Sequence, residues 1–425
     1  MNIKTSQLEN GLSIVSIQHQ SLSTTVLSLI KTGSRNEEQD INGISHFLEH
    51  MCFKGTKNID GRSMMRMLDG LGAETNAFTS QDYTGYYVKS PKKFWKKTLT
   101  TVSDIYHNPT FPEVEMEKEK GVILGEISMY EDMPMRHIYD LFNSLVFADE
   151  PLGWSVLGPR KVIKKMKQSD FVEYHNKRYV PNNTVMVVAG DVSHKDVVQE
   201  IKKTFETSKN KKIAKTQKVK LNQKKSAIKL HYRKTDQTHV MLGYPTVGFH
   251  HKDALAIRMA SAVLGSGMSS RLFEKLREDM GVGYYVRSNY SAHEDVGVFQ
   301  VSCGIDSTRV EETLEAIAQE VTRLQEESVS EEELRRVQEF IIGNTHMNLE
   351  SSDDLAYFYG KRMLFDLELD SPKNIAKKIR GITARDIKRV VKKYFVKEKL
   401  NISMIGPHTS KKEKTFLQSY IKNLR

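Results

Sequence analysis

The sequence has little cysteine: only Cys52 and Cys303 occur in 425 residues. Two thiols so far apart in the chain exclude a disulfide framework and favour a reducing compartment. Cys52 lies two residues beyond His50, so on a helix it would face about 200° away from that imidazole. We interpret Cys52 as a packing residue.

Long apolar runs are also missing. None approaches the roughly 18 consecutive residues that a membrane-spanning helix needs, and the start of the chain, Met1 to Gln7, lacks the apolar stretch of a signal peptide. These absences exclude a membrane span and predict a soluble, unexported protein. The bacterial cytoplasm is the favoured compartment, and the alternative is a mature form in the mitochondrial matrix.

The formal charge of +11 is concentrated in one segment. Between Lys209 and Lys225 there are eight lysines and no acidic residue, so this stretch carries +8 and the rest of the chain +3. No aromatic residue lies between these lysines, as one would at a stacking site for nucleic acid. We interpret residues 209–227 as a solvated, Lys-rich linker and predict no nucleic-acid partner.

Length and an internal repeat predict two homologous domains. A chain of 425 residues is too long for one ordinary core. We place the domains at residues 1–208 and 228–425. Strand patterns alternating with helical segments predict the α+β class, each domain having a mostly antiparallel sheet with helices packed on one face. The repeat rests on four matches in the same order, which are Thr25-Val26-Leu27 with His239-Val240-Met241, Gly85-Tyr86-Tyr87-Val88 with Gly297-Val298-Phe299-Gln300, Ile123-Leu124-Gly125-Glu126 with Ile341-Ile342-Gly343-Asn344, and Asp170-Phe171 with Asp386-Ile387.

The segment His46-Phe47-Leu48-Glu49-His50 has the spacing of a metal site. On a helix, His46 and His50 lie on one face about a turn apart, and imidazole is a preferred ligand of zinc. Glu49 projects near the same face, where it could take a proton from water. The alternative is coincidence, because a random match in a chain of this composition has a probability on the order of a few per cent.

A carboxylate pair further along the chain could complete the site. Glu119 and Glu126 are seven residues apart on a predicted helix, so they lie on about the same side of it. Most such pairs are solvated helix charges, but Glu126 lies in an apolar run and therefore needs a partner. The second copy has Ala260-Ser261-Ala262-Val263-Leu264 and Asn344 at the corresponding positions, so the candidate metal site belongs to the first copy alone.

Together these features resemble the pitrilysin and mitochondrial processing peptidase family of zinc peptidases, in its short two-domain form, whose inverted motif is His-x-x-Glu-His. The resemblance implies one zinc ion per chain, bound by His46, His50 and Glu126. It also implies that Glu49 is the catalytic base and that Glu119 orients a ligand or the water. The motifs that carry it are Gly33-Ser34-Arg35, the segment from His46 to Thr56, Asn76-Ala77-Phe78-Thr79-Ser80, Val122 to Ile127, Leu264 to Leu272, and Arg277-Glu278 leading to Gly281-Val282-Gly283-Tyr284.

The resemblance further implies how a substrate is bound. Asn76, Ala77 and Phe78 match an edge strand onto which an extended peptide adds through backbone hydrogen bonds. Arg277 and Tyr284 match an arginine and tyrosine pair that contacts the substrate opposite the metal. In the family this pair comes from the half of the enzyme that does not carry the zinc of that active site. The chain is therefore expected to form half of a clamshell and to dimerise, each site being completed by the second copy. The plainer alternatives are that Asn76 is an ordinary residue at the end of a strand, that Arg277 is a surface charge on a helix, and that Tyr284 is an aromatic residue of a sheet.

The expected function is a zinc metalloendopeptidase that hydrolyses short or unfolded peptides with metal-activated water. Two alternatives remain open: a catalytically silent assembly subunit, and one subunit of an obligate heterodimeric peptidase. Intact candidate ligands disfavour the first, and the presence of Arg277 and Tyr284 in the same chain makes the second less necessary.

Overall fold

The computed structural model describes residues 1–214, 216–407 and 417. Lys215 of the predicted linker, and residues 408–416 and 418–425 of the predicted second domain, lie outside the described residues. The strands are β1 (Asn2–Gln7), β2 (Ser13–Gln18), β3 (Ser23–Ile30), β4 (Glu74–Thr79), β5 (Thr84–Pro91), β6 (Thr184–Gly190), β7 (Ala227–Tyr232), β8 (Gln237–Val247), β9 (Gly283–Ala292), β10 (Val296–Asp306) and β11 (Asn401–Gly406). The helices are α1 (Ile44–Met51), α2 (Gly61–Gly70), α3 (Trp95–His107), α4 (Glu113–Asp132), α5 (Pro134–Val146), α6 (Arg160–Ile163), α7 (Gln168–Arg178), α8 (His194–Phe205), α9 (Ala254–Gly265), α10 (Arg271–Phe273), α11 (Val310–Glu326), α12 (Glu331–Met347), α13 (Ser352–Leu364), α14 (Pro372–Arg380) and α15 (Ala384–Tyr394).

The first sheet, as far as the described residues show it, has six strands in the order β1-β2-β6-β3-β5-β4. Its neighbouring strands are antiparallel except for β2 and β6. Strand β3 is buried almost throughout because helices cover both faces of the sheet. Leu27 and Leu29 face Gly360 of α13. Thr24 is paired with Ser90, whose hydroxyl contacts Thr98 of α3 on the other face.

The second sheet repeats the strand order β2-β6-β3-β5-β4 of the first. In the described part of the chain its order is β7-β11-β8-β10-β9, with β7 and β11 as the parallel pair. Helices α9, α11 and α15 pack around a core of aliphatic side chains on this sheet, with the stacked rings of Tyr244, Phe299 and Phe395. The shared strand order and the equivalent parallel pair match the repeat seen in the sequence. The α+β class with mostly antiparallel sheets is thereby confirmed.

Two helices depart from the predicted arrangement. Helix α5 packs on β8 and β11 of the second sheet, and α13 packs on β3 and β6 of the first. Each therefore covers a sheet face that the prediction, with helices on one face only, left bare. Periodicity defines the apolar face of a helix but not the sheet that will bury it. The division at residues 208 and 228 therefore did not predict that α5 packs on the second sheet and α13 on the first. The first unit is Met1–Ser128, Trp154–Gln217 and His346–Leu369, and the second is Met129–Gly153, Lys218–Thr345 and Asp370–Arg425.

One of the boundaries between the two units lies between Gln217 and Lys218, inside the Lys-rich segment predicted as a linker. In the described parts of the chain, no helix combines the length and the apolar character needed to span a bilayer.

Candidate metal centre

Helix α1 carries the central motif and is fixed on its apolar side. Ile44, Phe47, Leu48 and Met51 are buried, and the Phe47 ring meets Phe171 of α7 edge to face at 4.8 Å. The helix starts after Gly43, whose φ of 99° is a left-handed conformation that favours glycine. This packing holds the opposite face, with both histidines, in one orientation.

Glu37, which the sequence did not single out, closes the start of α1. Its Oε2 accepts hydrogen bonds from Gly43 N at 2.7 Å and from Asn42 Nδ2 at 2.8 Å, and its Oε1 accepts one from Ser45 N at 2.8 Å. Burial raises the pKa of the Glu37 carboxyl to about 7, whereas these N–H donors act in the opposite direction by favouring the carboxylate. A side chain from outside the helix therefore satisfies backbone donors of its first turn.

We expect Glu37→Gln to lower the free energy of unfolding by about 1–3 kcal/mol, because an amide nitrogen would face a backbone N–H and leave it buried without an acceptor. Denaturant unfolding of the purified protein measures the effect. Glu38→Gln is the matched control, since the Glu38 side chain is 71% exposed, and it should change stability by less than about 0.5 kcal/mol. Equal stability of the two variants would contradict the capping role of Glu37.

The three side chains proposed from the sequence as metal ligands lie together. One ligand atom from each of His46, His50 and Glu126 falls in a group within 4.8 Å of one another. The two Nε2 atoms are 3.2 Å apart, and Glu126 Oε2 is 3.5 Å from His46 Nε2 and 3.7 Å from His50 Nε2. Zinc bonds of about 2.0–2.1 Å in tetrahedral geometry separate ligand atoms by roughly 3.3 Å. The donor set and its spacing therefore fit a zinc ion.

Helix α4 supplies both carboxylates that meet His50. Glu119 Oε1 lies 2.9 Å from His50 Nδ1, and Glu126 approaches the Nε2 of the same ring. Because an ionised carboxylate only accepts, His50 Nδ1 carries a proton, and Nε2 is the ring nitrogen that could bind a metal. Lys54 Nζ contacts the other oxygen of Glu119 at 2.6 Å. The hydrogen bond from His50, followed by the contact with Lys54, holds the pKa of Glu119 below its ordinary value.

The electrostatics of the two imidazoles differ. Burial, together with the nearby charge of His50, lowers the pKa of His46 to about 3, so this ring is neutral. Burial opposes the charged form of His50 as well, but the hydrogen bond with Glu119 and the charges of Glu49, Glu119 and Glu126 outweigh it and raise its pKa. The carboxylates that favour a charged imidazolium also favour a metal cation at this point. His46 Nδ1 is buried and, among the described residues, has no hydrogen-bond partner.

Glu49 lies beside this group and is held by the neighbouring sheet. The Thr79 hydroxyl, at the end of β4, donates a hydrogen bond of 2.5 Å to Glu49 Oε2. Burial raises the pKa of Glu49, although the Thr79 hydrogen bond and the charge of His50 oppose the rise. A carboxylate of raised basicity, positioned by one hydrogen bond, suits the proton transfer expected of it.

Asn76, Ala77 and Phe78 lie on the outer strand of the first sheet. In the described sheet β4 pairs only with β5. The backbone N–H of Ala77 donates to Asn76 Oδ1 at 2.9 Å, so this N–H points away from the ladder. The edge position predicted from the sequence is present, and the role in substrate binding stays a prediction.

Arg277 and Tyr284 lie in the second unit. Arg277 is in a turn of π-helix, Glu274–Asp279, and its Nη1 donates to the backbone carbonyl of Tyr284 at 3.1 Å. The Tyr284 side chain is 71% exposed. The two residues are neighbours within this unit, and their contact with a substrate stays a prediction.

Sequence reasoning missed Glu37, Thr79 and Lys54 as parts of this arrangement. Lys54 had a usable signal, because it follows His50 by four residues where a helix end brings such positions together. Thr79 lies in one of the motifs that carry the resemblance, but nothing in the sequence pairs it with Glu49. Glu37 had no signal, since its contacts depend on how a loop meets α1 in three dimensions.

At the positions corresponding to α1 and Glu126, the second unit has no such cluster. Ala260, Val263 and Leu264 in α9 are fully buried, and Asn344 Nδ2 donates to the Phe340 carbonyl within α12. Across the described residues, the group of His46, His50 and Glu126 is the set of potential ligands that satisfies metal-site spacing.

The fold and the site define a class of α+β proteins built from two related units, with an inverted His-x-x-Glu-His helix beside a glutamate-bearing helix in one of them. Comparison with known families agrees. The family described as Insulinase (Peptidase family M16) matches residues 13–160, and that described as Peptidase M16 inactive domain matches residues 165–340.

Individual relatives span nearly the whole chain. The "Uncharacterized zinc protease YmxG" of Bacillus subtilis is 31% identical over 409 residues, covering 95% of this chain and 98% of the relative. The human "Mitochondrial-processing peptidase subunit beta" is 29% identical over 413 residues, covering 94% of this chain and 83% of the relative. A crystal structure of a protease from Helicobacter pylori superposes with a TM-score of 0.89 at 26% identity, covering 95% of this chain and 99% of that one. The chain belongs to peptidase family M16.

Proposed function

We propose that the protein is a zinc metalloendopeptidase that hydrolyses short or unfolded peptides. The observation that carries this proposal is the convergence of the nitrogen atoms of His46 and His50 and a carboxylate oxygen of Glu126 at zinc-ligand spacing, with Glu49 next to them. Membership of a peptidase family and the zinc-protease names of relatives support it.

The mechanism assigns a task to each side chain. His46, His50 and Glu126 would hold one zinc ion, which supplies Lewis acidity for the carbonyl of the cleaved bond. Glu49 takes a proton from the attacking water and can return it to the leaving amine. Thr79 keeps the Glu49 carboxylate in place, and Glu119 fixes the tautomer and the direction of the His50 ring.

Substrate binding is proposed to use the edge of the first sheet. An extended peptide that adds to β4 would bond to outward backbone groups such as the Ala77 N–H, displacing the Asn76 side chain that now occupies it. Such binding requires an extended segment, which folded domains rarely offer. The proposed substrates are therefore short or unfolded peptides.

The test of this function is the cleavage of a fluorescence-quenched peptide library by purified protein. We expect turnover that disappears on chelation and returns with equimolar zinc. Zinc-loaded protein that leaves every peptide of an unbiased library intact would favour the alternative of a silent assembly subunit.

We further propose a homodimer in which Arg277 and Tyr284 of one copy complete the substrate site of the other. The human relative is named as a subunit, so a heterodimer is the competing arrangement. A complementation experiment distinguishes the homodimer from the heterodimer. We expect the Glu49→Gln and Arg277→Ala variants to be inactive alone and their mixture to have about one quarter of wild-type activity. Random pairing makes half of the dimers mixed, and each mixed dimer has one complete site. A mixture no more active than its parts, or a monomeric native mass, would contradict the shared site.

The bacterial cytoplasm stays the predicted compartment, with the mitochondrial matrix as the alternative.

A further inference from the structure

We propose that Arg160 is a positioning residue of the metal centre, which holds the turn of α4 that carries Glu126 in place relative to α1. The proposal rests on the zinc site of the proposed function. It adds to that site a residue that is not one of the three ligands.

Arg160 is hydrogen-bonded to α4 on both sides of Glu126 in the sequence. Its Nη1 donates to the Leu124 carbonyl at 3.2 Å, and its Nη2 donates to the Ser128 hydroxyl at 3.0 Å. The Ser128 hydroxyl itself donates to the Leu124 carbonyl at 3.1 Å. Because residues two apart on a helix project about 200° from each other, the side chains of Ser128 and Glu126 point in different directions. Arg160 therefore holds this turn from a side other than that of the ligand.

The segment that supplies Arg160 packs against the start of α1. Gly158 has a φ of 73°, and a Cβ added there would come within 2.3 Å of the Asn42 carbonyl oxygen. A Cβ added at Gly43 would come within 2.8 Å of the Leu157 carbonyl oxygen. Both glycines have left-handed backbones, so two pieces of main chain are in direct contact here. This contact fixes the segment against α1.

Arg160 thereby connects the two helices that supply the metal ligands. The contacts at Gly43 and Gly158 and those on α4 all lie within the first unit. Glu126 Oε2 is 3.5 Å from His46 Nε2, and zinc bonds of about 2.0–2.1 Å leave little tolerance in such a spacing. A contact that limits the movement of α4 relative to α1 therefore keeps the ligand set together.

The turn that Arg160 contacts belongs to a weak part of α4. Gly121 and Gly125 lie between Glu119 and Glu126. Apart from the backbone of α4 itself, no described atom lies within 4 Å of a Cβ added at either glycine, so close packing does not explain them. Glycine in a helix interior is less favourable than alanine, because it loses more backbone freedom on folding. We therefore expect this segment to open more easily when Arg160 is removed.

Competition with a zinc chelator of known affinity measures the effect. Arg160→Ala should weaken zinc binding about 10–100-fold, the usual effect of losing a group that orients a ligand. Apparent affinity falls with the fraction of molecules in the binding conformation. Arg160→Lys should be intermediate, because an ammonium group keeps the charge but cannot bind both acceptors as a planar guanidinium does. Lys161→Ala, which changes the exposed neighbour on α6, should stay within about twofold of wild type. Wild-type zinc affinity in Arg160→Ala would overturn the proposal.

Gly125→Ala distinguishes the positioning of α4 from a general loss of stability. Alanine favours the helix, so it should restore zinc affinity severalfold in the Arg160→Ala protein. In an otherwise wild-type chain, where Arg160 already holds the turn, it should change affinity by less than about twofold. Gly343→Ala is the matched control, because Gly343 is the counterpart of Gly125 in the second copy and is equally open. Equal effects of Gly125→Ala in both backgrounds would mean independent sites and would contradict the proposal.

A third measurement requires neither zinc nor turnover. Backbone amide hydrogen exchange in the zinc-free protein reports local opening of a helix. Arg160→Ala should speed exchange in peptides that cover residues 121–128 and leave α12 unchanged, whereas Lys161→Ala should alter neither. This result would support the role of Arg160 even if wild type bound no zinc and the proposed function failed. Unchanged exchange in α4 would overturn that role even in an active peptidase.

Discussion

Glu49→Gln is expected to lower kcat by about 10²–10⁴-fold, the usual contribution of a general base, while the protein keeps its zinc. Glutamine is nearly the same size and can still contact the Thr79 hydroxyl, but it cannot take a proton from water. The measurement combines steady-state cleavage of a quenched peptide with the zinc content of the same sample. Loss of turnover without loss of metal assigns the defect to proton transfer rather than to the site's assembly.

Glu38→Gln is the matched control, because Glu38 is a glutamate in the loop before α1 with its side chain 71% exposed. It should cleave the peptide at the wild-type rate. A fully active Glu49→Gln protein with bound zinc would remove Glu49 from the mechanism.

Glu126→Gln is expected to remove zinc as well as activity. Loss of a group that only orients a ligand typically costs 10–100-fold in metal affinity, so loss of a ligand itself should cost more than about 100-fold. Imidazoles bind zinc in the neutral form, so the Glu126 carboxylate supplies the negative charge of the ligand set. An amide lacks this charge. Competition with a zinc chelator of known affinity measures the change.

Glu117→Gln serves as the control on the same helix. The Glu117 side chain is 66% exposed and is bridged to Lys120, so its substitution should leave zinc affinity unchanged. Wild-type zinc affinity in Glu126→Gln would show that the carboxylate is not a ligand.

The metal centre could be predicted from the sequence because its signals are local or internal to the chain. The spacing of His46 and His50 needs only one turn of helix, and the second copy, with Asn344 in place of Glu126, distinguishes the carboxylate from a packing residue. The structure brings these three side chains together, although they come from two helices. Their roles as ligands stay predictions.

Contacts that depend on how distant helices, strands and loops pack against one another could not be predicted from the sequence. The sequence does not show that the helix around residue 357 packs on the first sheet, because any apolar helix face can be buried by either sheet. The contact between the rings of Phe78 and Tyr357 depends on this packing, since the two residues are 279 positions apart in sequence and their ring centroids are 5.5 Å apart. Likewise, the contact of Glu37 with the first turn of α1 depends on the path of a loop.

Anomalous diffraction at the zinc edge, from crystals of the protein loaded with equimolar zinc, tests the central claim most directly. We predict one strong peak per chain, about 2.0–2.2 Å from His46 Nε2, His50 Nε2 and a Glu126 oxygen. A peak elsewhere, or zinc-loaded crystals with no peak between these three side chains, would contradict it.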